Sequence, residues 1–201
     1  MITTIYLIRH SKTKPIEESF GDTLQEKNEN IGLSEEGKEL VKNLCSNNKF
    51  KNIDIIYSSH YNRALSTAKI IAKENNIDLI VDNRLGERKH GVSNFNELPE
   101  NYEIKQFTDL NFKVGDGECI NEVQKRMYDS LNDILSSNKG KNIIILSHST
   151  AILSLLKTWC EVEIPLKLNF NNKEFFKGNF KHCETFKLTF EEDNLISIEN
   201  I

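Results

Sequence analysis

The chain carries little that could staple it, chelate a metal or anchor it in a bilayer. Only four cysteines occur in 201 residues, Cys45, Cys119, Cys160 and Cys183. None belongs to a C-x-x-C pair, so the spacing suggests neither a disulfide framework nor a zinc site, and free thiols in a reducing compartment are expected. The N-terminal apolar run "TTIYLI" is too short for a transmembrane helix, and no cleavable signal pattern follows it. The expectation is a cytoplasmic protein without membrane association. Positive charge is not in excess either. The 26 Lys and Arg stand against 30 Asp and Glu, a net charge of −4, which argues against nucleic-acid binding through a global positive field. Any anion site must be a local concentration of Arg, Lys and His. No H-E-x-x-H motif, internal repeat or low-complexity tract appears.

What remains is an ordinary globular composition, 38% hydrophobic and 28% charged, on a chain long enough to bury a sizeable core. We expect one domain over residues 1–201. "TTIYLI" reads as a buried first strand ending at Arg9. The polar stretch "EESFGDTLQEKNENIG" reads as a loop near the site. "LSEEGKELVKNLC" shows a helix start, with Ser34 as N-cap and Leu40, Val41 and Leu44 on one face. "NIDIIYSS" is a second strand, leading into a helix in which Ala64, Leu65, Ala68, Ile71 and Ala72 recur at helical spacing. "IDLIVD" is a third strand. "ECINEVQKRMYDSLNDILSS" is a long amphipathic helix, "KNIIILSH" a buried strand and "STAILSLLKTWC" a further helix. The tail alternates apolar and polar residues around "EEDN" and reads as a closing hairpin.

Strands alternating with helices imply βαβ units and a mainly parallel sheet covered on both faces. The expected fold is therefore α/β, a three-layer α/β/α sandwich with a mixed, mainly parallel sheet. Residues 84–118 form a long connection with weak periodicity, expected to be an inserted helical lid region or lobe.

Such sheets place ligands beyond the carboxyl ends of their strands. Three strand ends bring Arg9 and His10, then Ser58 and Ser59 with Arg63 one turn on, then His148 flanked by Ser147, Ser149 and Thr150. If these strands are parallel neighbours, the groups converge into a pocket suited to a dianionic phosphate. Arginine forks match phosphate oxygens, and helix N-termini add free N–H groups. The absence of an acidic cluster at these strand ends argues against bound Mg²⁺. Taken singly, each residue has a duller explanation: a structural histidine, a helix-surface arginine, serine caps. Their joint placement at three strand ends favours a site.

These residues resemble the histidine phosphatase superfamily, the phosphoglycerate-mutase-like enzymes. "RHSKT" stands in the place of the opening Arg-His-Gly-x-Ser/Thr motif, and "LSEEG" (Leu33–Gly37) in that of LSxxG. "SSHYNRALSTA" (Ser58–Ala68) matches the arginine-bearing helix start, and "LGERKHG" (Leu85–Gly91) the acid motif. "GECINEVQKRM" and "IIILSHST" complete the series in order along nearly the whole chain. The resemblance implies His10 as phosphorylated nucleophile, Arg9 and Arg63 as phosphate ligands, His148 as a further phosphoryl contact and Glu87 as the acid. Thr13 and Ser149 would support or contact the phosphate. Outside the motif, Glu87 would read as a surface glutamate paired with Arg88.

Three departures bear on substrate preference. Ser11 replaces a glycine and is tolerable if its φ is negative. Ser149 and Thr150 replace a small pair. Pro15 and Ile16 stand where many members carry an asparagine.

The activity implied is a metal-independent, cofactor-free phosphatase acting on a small phosphorylated substrate. The alternatives are a phosphoglycerate mutase, which "LGERKHG" favours, or a non-catalytic phospho-ligand binding domain. The stretch "LKLNFNNKEFFKGNFKH" mixes Lys167, Lys173 and Lys177 with Phe170, Phe175 and Phe176. It reads either as an entrance lining that favours an aromatic or anionic leaving group, or as a solvated edge with buried phenylalanine anchors.

Overall fold

The computed structural model describes residues 1–46, 50 and 52–201. Strand β1 (Ile2–Arg9) pairs in parallel with β4 (Asn142–Ser147), which pairs in parallel with β2 (Ile55–Ser58), and that strand in turn with β3 (Leu79–Val81). On the other side of β1, the strands β8 (Thr185–Glu191) and β9 (Asn194–Asn200) add antiparallel. The sheet order is β3-β2-β4-β1-β8-β9. The mixed, mainly parallel sheet is the expected one, and β8–β9 is the expected closing hairpin.

Alternation along β4 divides the core into two layers, because successive strand residues face opposite sides. Ile143 and Ile145 join Ile5, Leu7, Met127, Leu131, Ile152 and Leu156 on one face. There α5 (Ile120–Ser137) and α6 (Ser149–Leu156) cover the sheet. Ile144 and Leu146 join Ile8, Ile56, Val41, Ala64, Ala68 and Ile71 on the other, under α2 (Glu35–Ser46) and α3 (Asn62–Asn75). Helices on both faces complete the three layers.

Residues 84–118 contain a 3₁₀ turn at Phe95–Glu97 and the helix α4 (Tyr102–Thr108). Two regions depart from expectation. The stretch taken as a loop contains a 3₁₀ turn, Glu18–Phe20, and a helix, α1 (Leu24–Asn30). That helix is nucleated by a capping box: Glu26 N–H donates to Thr23 Oγ1 at 3.1 Å, and Thr23 N–H donates to Glu26 Oε2 at 3.0 Å.

Near the C-terminus, β5 (Glu161–Glu163), β6 (Lys167–Phe170) and β7 (Lys173–Lys177) form a second, three-stranded antiparallel sheet. Asn171 and Asn172 take φ of 51° and 62°, the conformation of a two-residue I′ hairpin loop. The phenylalanines there act largely as anchors, with Phe176 and Phe180 buried beside Phe186.

Removing the α1 cap should loosen that helix locally. With a lost cap costing about 0.5–2 kcal/mol, amide hydrogen exchange in α1 should quicken roughly 2- to 30-fold in Thr23→Ala. Exchange in the central strands should stay unchanged. Unaltered exchange in α1 would mean that other contacts hold it.

Candidate active site

Register assembles the site. Arg9 lies opposite Ser147, and Ser58 opposite Leu146. The ladder continues one residue further on each side: His10 N–H donates to the Ser147 carbonyl at 3.0 Å and Ser59 N–H to the Leu146 carbonyl at 3.0 Å. His10, Ser59 and His148 therefore follow three adjacent strand ends, as expected. The rings of His10 and His148 stand 5.1 Å apart, centroid to centroid.

The imidazole of His10 is fixed from both sides. Its Nδ1 lies 2.7 Å from the Ser11 carbonyl oxygen, which can only accept, so Nδ1 carries the proton. Arg63 Nε–H donates to His10 Nε2 at 3.0 Å, so Nε2 offers a lone pair. Burial, with the Arg63 charge second, pushes the His10 pKa well below its usual value, and the ring is neutral at pH 7. His148 is fully buried and lowered in the same way, chiefly by burial and then by Arg63. Its Nε2 is 2.8 Å from Ser59 Oγ.

Arg63 sits on the first turn of α3. Its guanidinium also donates to the Asn28 carbonyl of α1 and lies 4.9 Å from the Tyr61 ring centroid. Arg9 donates to the Phe180 carbonyl. Arg9 Nε and His148 Nδ1 are buried and have no hydrogen-bond partner among the described residues. Buried polar atoms without a partner are rare, and the Arg9 Nε–H, which can only donate, calls for an acceptor.

Ser11, the residue in place of glycine, is accommodated. It is not among the residues with positive φ. Its N–H donates to Thr67 Oγ1 at 3.1 Å, and its hydroxyl donates to the Gly37 carbonyl at 2.8 Å. Gly37 admits this contact because a Cβ there would lie 2.1 Å from the Lys12 carbonyl oxygen. Ser34 caps α2 through the Gly37 N–H at 3.0 Å. The "LSEEG" segment thus seats a helix start against the loop that follows His10. Thr13 takes part through its backbone, in an isolated bridge to Leu33. Its hydroxyl makes no hydrogen bond among the described residues.

Glu87 is held by backbone. Its Oε1 accepts from Ala151 N–H at 3.0 Å and Arg88 N–H at 2.9 Å, and its Oε2 from Thr150 N–H at 3.3 Å. Two N–H groups of the first turn of α6, those of Thr150 and Ala151, are thus engaged by this carboxylate rather than left free as the sequence suggested. Ser149 lies at the start of the same helix and lines the adjacent groove.

The pairing of Glu87 with Arg88, its reading outside the motif, is absent. Arg88 turns away and is 1% exposed. It donates to Gln106 Oε1 at 3.0 Å, to the Glu118 carbonyl at 2.6 Å and to the Tyr102 hydroxyl. The Glu87 carboxylate is held instead by three backbone N–H donors.

Sequence reasoning missed Arg126 of α5. It donates to the carbonyls of Arg84 (2.6 Å), Gly86 (2.8 Å) and Glu87 (3.1 Å), and pairs with Glu118 at 2.7 Å. The backbone that carries Glu87 is therefore wrapped by one guanidinium. Its only sequence signal is an arginine on the partly polar face of an amphipathic helix, which does not distinguish it from a surface residue. Among the described residues, no group of three or more His, Cys, Asp or Glu is placed to hold a metal ion, and no helix is long and apolar enough to cross a membrane.

The family model described as "Histidine phosphatase superfamily (branch 1)" matches residues 5–193. Phosphoserine phosphatase 1 of Hydrogenobacter thermophilus is 27% identical over 130 residues, covering 61% of this chain and 62% of that protein. A probable phosphoglycerate mutase GpmB of Escherichia fergusonii is 27% identical over 176 residues, covering 81% and 80%. The solved structure of Bacillus stearothermophilus YhfR superimposes with a TM-score of 0.71 at 22% identity, covering 96% of this chain and 94% of that one.

The two buried histidines make stability pH-dependent. Unfolded, each binds a proton below about pH 6.5; folded, both titrate well below that. The unfolded state therefore gains protons first, and stability must fall as pH drops through 6.5. The slope is up to about 1.4 kcal/mol per pH unit for each histidine. Urea midpoints should decrease from pH 7.5 to 5.5, less steeply in His10→Gln. A flat profile would contradict the neutral, buried imidazoles.

Proposed function

The chain belongs to the histidine phosphatase superfamily (branch 1), and from that membership we infer that it hydrolyses small phosphorylated metabolites through a phosphohistidine on His10. Family membership supports phosphatase or mutase activity. The observation that carries the finer reading is the fixed tautomer of His10, a buried neutral ring whose Nε2 lone pair is directed at a guanidinium.

A bound phosphoryl group would accept from Arg9 and from Arg63, drawing the latter off Nε2 and uncovering the nucleophile. Nε2 attacks phosphorus, the N–P bond forms and the ester P–O bond breaks. The Nδ1–H bond to the Ser11 carbonyl supports the positive charge that develops on the ring. Charge on the equatorial oxygens is met by arginine and His148, so catalysis is mainly positioning and charge stabilisation. Glu87 protonates the leaving oxygen. Oε1 already accepts two N–H bonds and Oε2 only one, so Oε2 is the oxygen with room for the proton. In the second step the carboxylate takes a proton from water, which attacks phosphorus and releases His10.

A mutase reading is favoured by one feature. Lys89 and His90 of "LGERKHG" line a cleft of about 510 Å³ that also includes Asn28, whose carbonyl holds Arg63. A mutase would return the phosphoryl group to a phosphoglycerate; a phosphatase releases it to water.

Rapid quench with a ³²P-labelled phosphomonoester should trap base-stable, acid-labile label on His10. His10→Ala should abolish label and turnover while the protein stays folded. Glu87→Gln should slow alkyl phosphates far more than aryl phosphates, whose leaving groups depart without a proton. Turnover should survive exhaustive chelation. Label elsewhere, or activity in His10→Ala, would defeat the mechanism. Transfer of label to added 3-phosphoglycerate in preference to water would make the enzyme a mutase.

A further inference from the structure

Beside Glu87 a groove of about 480 Å³ runs between α4, the start of α6 and the β5–β6 turn. Ile104 and Phe107 line it from α4, Leu153 from α6, and Ile164 and Pro165 from the β5–β6 turn. Ile104 and Ile164 are 48% and 45% exposed, so folding does not bury them. Large apolar side chains left at the rim of a groove mark a place where something binds. The one charged residue in the lining is Glu103, and the described lining has no Lys, Arg or His.

The groove is continuous with the catalytic set at two points. Its residue Thr150 donates its N–H to Glu87 Oε2 at 3.3 Å, and the carbonyl of its residue Phe180 accepts from Arg9. In-line attack by His10 places the leaving oxygen opposite the nucleophile, at the acid, and two spaces adjoin Glu87: a cleft that it lines with Arg84, Lys89 and Arg126, whose two arginines are already paired with Asp82, Asp133 and Glu118, and the apolar groove, which meets it at Thr150.

We propose that this groove is the leaving-group subsite and that the preferred substrate is the phosphate monoester of an uncharged, apolar alcohol. The proposal rests on the phosphohistidine reading above for which end of the substrate enters. It also sets the enzyme apart from one built for acidic leaving groups, since a carboxylate here would meet Glu103 and no cation.

Binding of n-alkylphosphonates, which cannot turn over, tests the groove separately from catalysis. From methyl- to hexylphosphonate, affinity should rise about three- to fourfold per methylene, the transfer free energy of a buried CH₂. A phosphonate of the same length ending in a carboxylate should bind more weakly than the alkyl compound. Ile104→Asp and Ile164→Asp, at exposed positions that folding does not depend on, should each cut the hexyl-to-methyl affinity ratio at least tenfold. An equal affinity along the series, a preference for the carboxylate, or a ratio that survives both substitutions would overturn the subsite. Turnover of methyl phosphate without a chain-length effect would leave the catalytic reading standing and remove the groove. A chain-length effect in an enzyme that hydrolyses no phosphomonoester would do the reverse.

Discussion

Parallel pairing between β1 and β4 sets Arg9 opposite Ser147 and, one residue on, ties His10 to the Ser147 carbonyl. A slip of one residue would turn Ile5 and Leu7 into the α2–α3 layer and Ile8 into the other, exchanging two packed interiors at once. The register is thus held by apolar burial on both faces of the strand, far more strongly than by any contact within the site. The side chains at the strand ends inherit that precision. His10, Ser59 and His148 are near one another because Ile143–Leu146 must divide evenly between two cores.

Charge is handled by a different rule. Arg126 is paired with Glu118, whereas Arg9, Arg63 and Arg88 have no carboxylate within ion-pair distance among the described residues. Burial is the largest cause lowering the pKa of all three, joined at Arg63 by the charge of Arg9, with nearby carboxylates opposing it more weakly. Arg88 satisfies its donors on neutral oxygens, and Tyr102 lies under its guanidinium at 4.8 Å. Arg9 retains an orphaned Nε, and Arg63 gives one donor to the lone pair of a histidine nitrogen. Desolvated cations left short of anions are costly, and a bound anion such as the proposed phosphate would offset that cost. A chain of net charge −4 can in this way still concentrate positive charge locally.

The layers, the strand ends and the residues His10, Arg63, Glu87 and His148 could be read from the sequence because strong apolar periodicity and closely spaced motifs mark them. The contacts that hold them could not. Thr23-x-x-Glu26 is a capping box, but its short helix has no buried residues, so no apolar stripe announced it. The β6–β7 hairpin is signalled by Asn171–Asn172, yet its mixed lysine and phenylalanine pattern hides which face is inside. Read outside the acid motif, Arg88 would pair with its neighbour Glu87. Its true partners, Tyr102 and Gln106, are 14 and 18 residues away, a separation at which sequence proximity carries no information. Glu87 itself took the helix N-terminus that had been assigned to phosphate, because an intramolecular carboxylate is always present and a ligand is not.

That last contact joins two functions in one piece of structure. The backbone at Glu87 is gripped from below by Arg126, which reaches the carbonyls of Arg84, Gly86 and Glu87. The next residue, Arg88, anchors α4 through Tyr102 and Gln106. The carboxylate of Glu87 in turn fixes the first turn of α6 through Thr150 and Ala151. Two walls of the apolar groove, α4 and the start of α6, are therefore tied to the same segment that carries the acid. Any movement of α4 toward a bound group must act on the Arg88 anchor, and through the adjoining peptide on Glu87. On the proposed mechanism, recognition of the leaving group and delivery of its proton would share one mechanical support, and the region that follows Glu87 would be constrained by the chemistry as much as by the substrate.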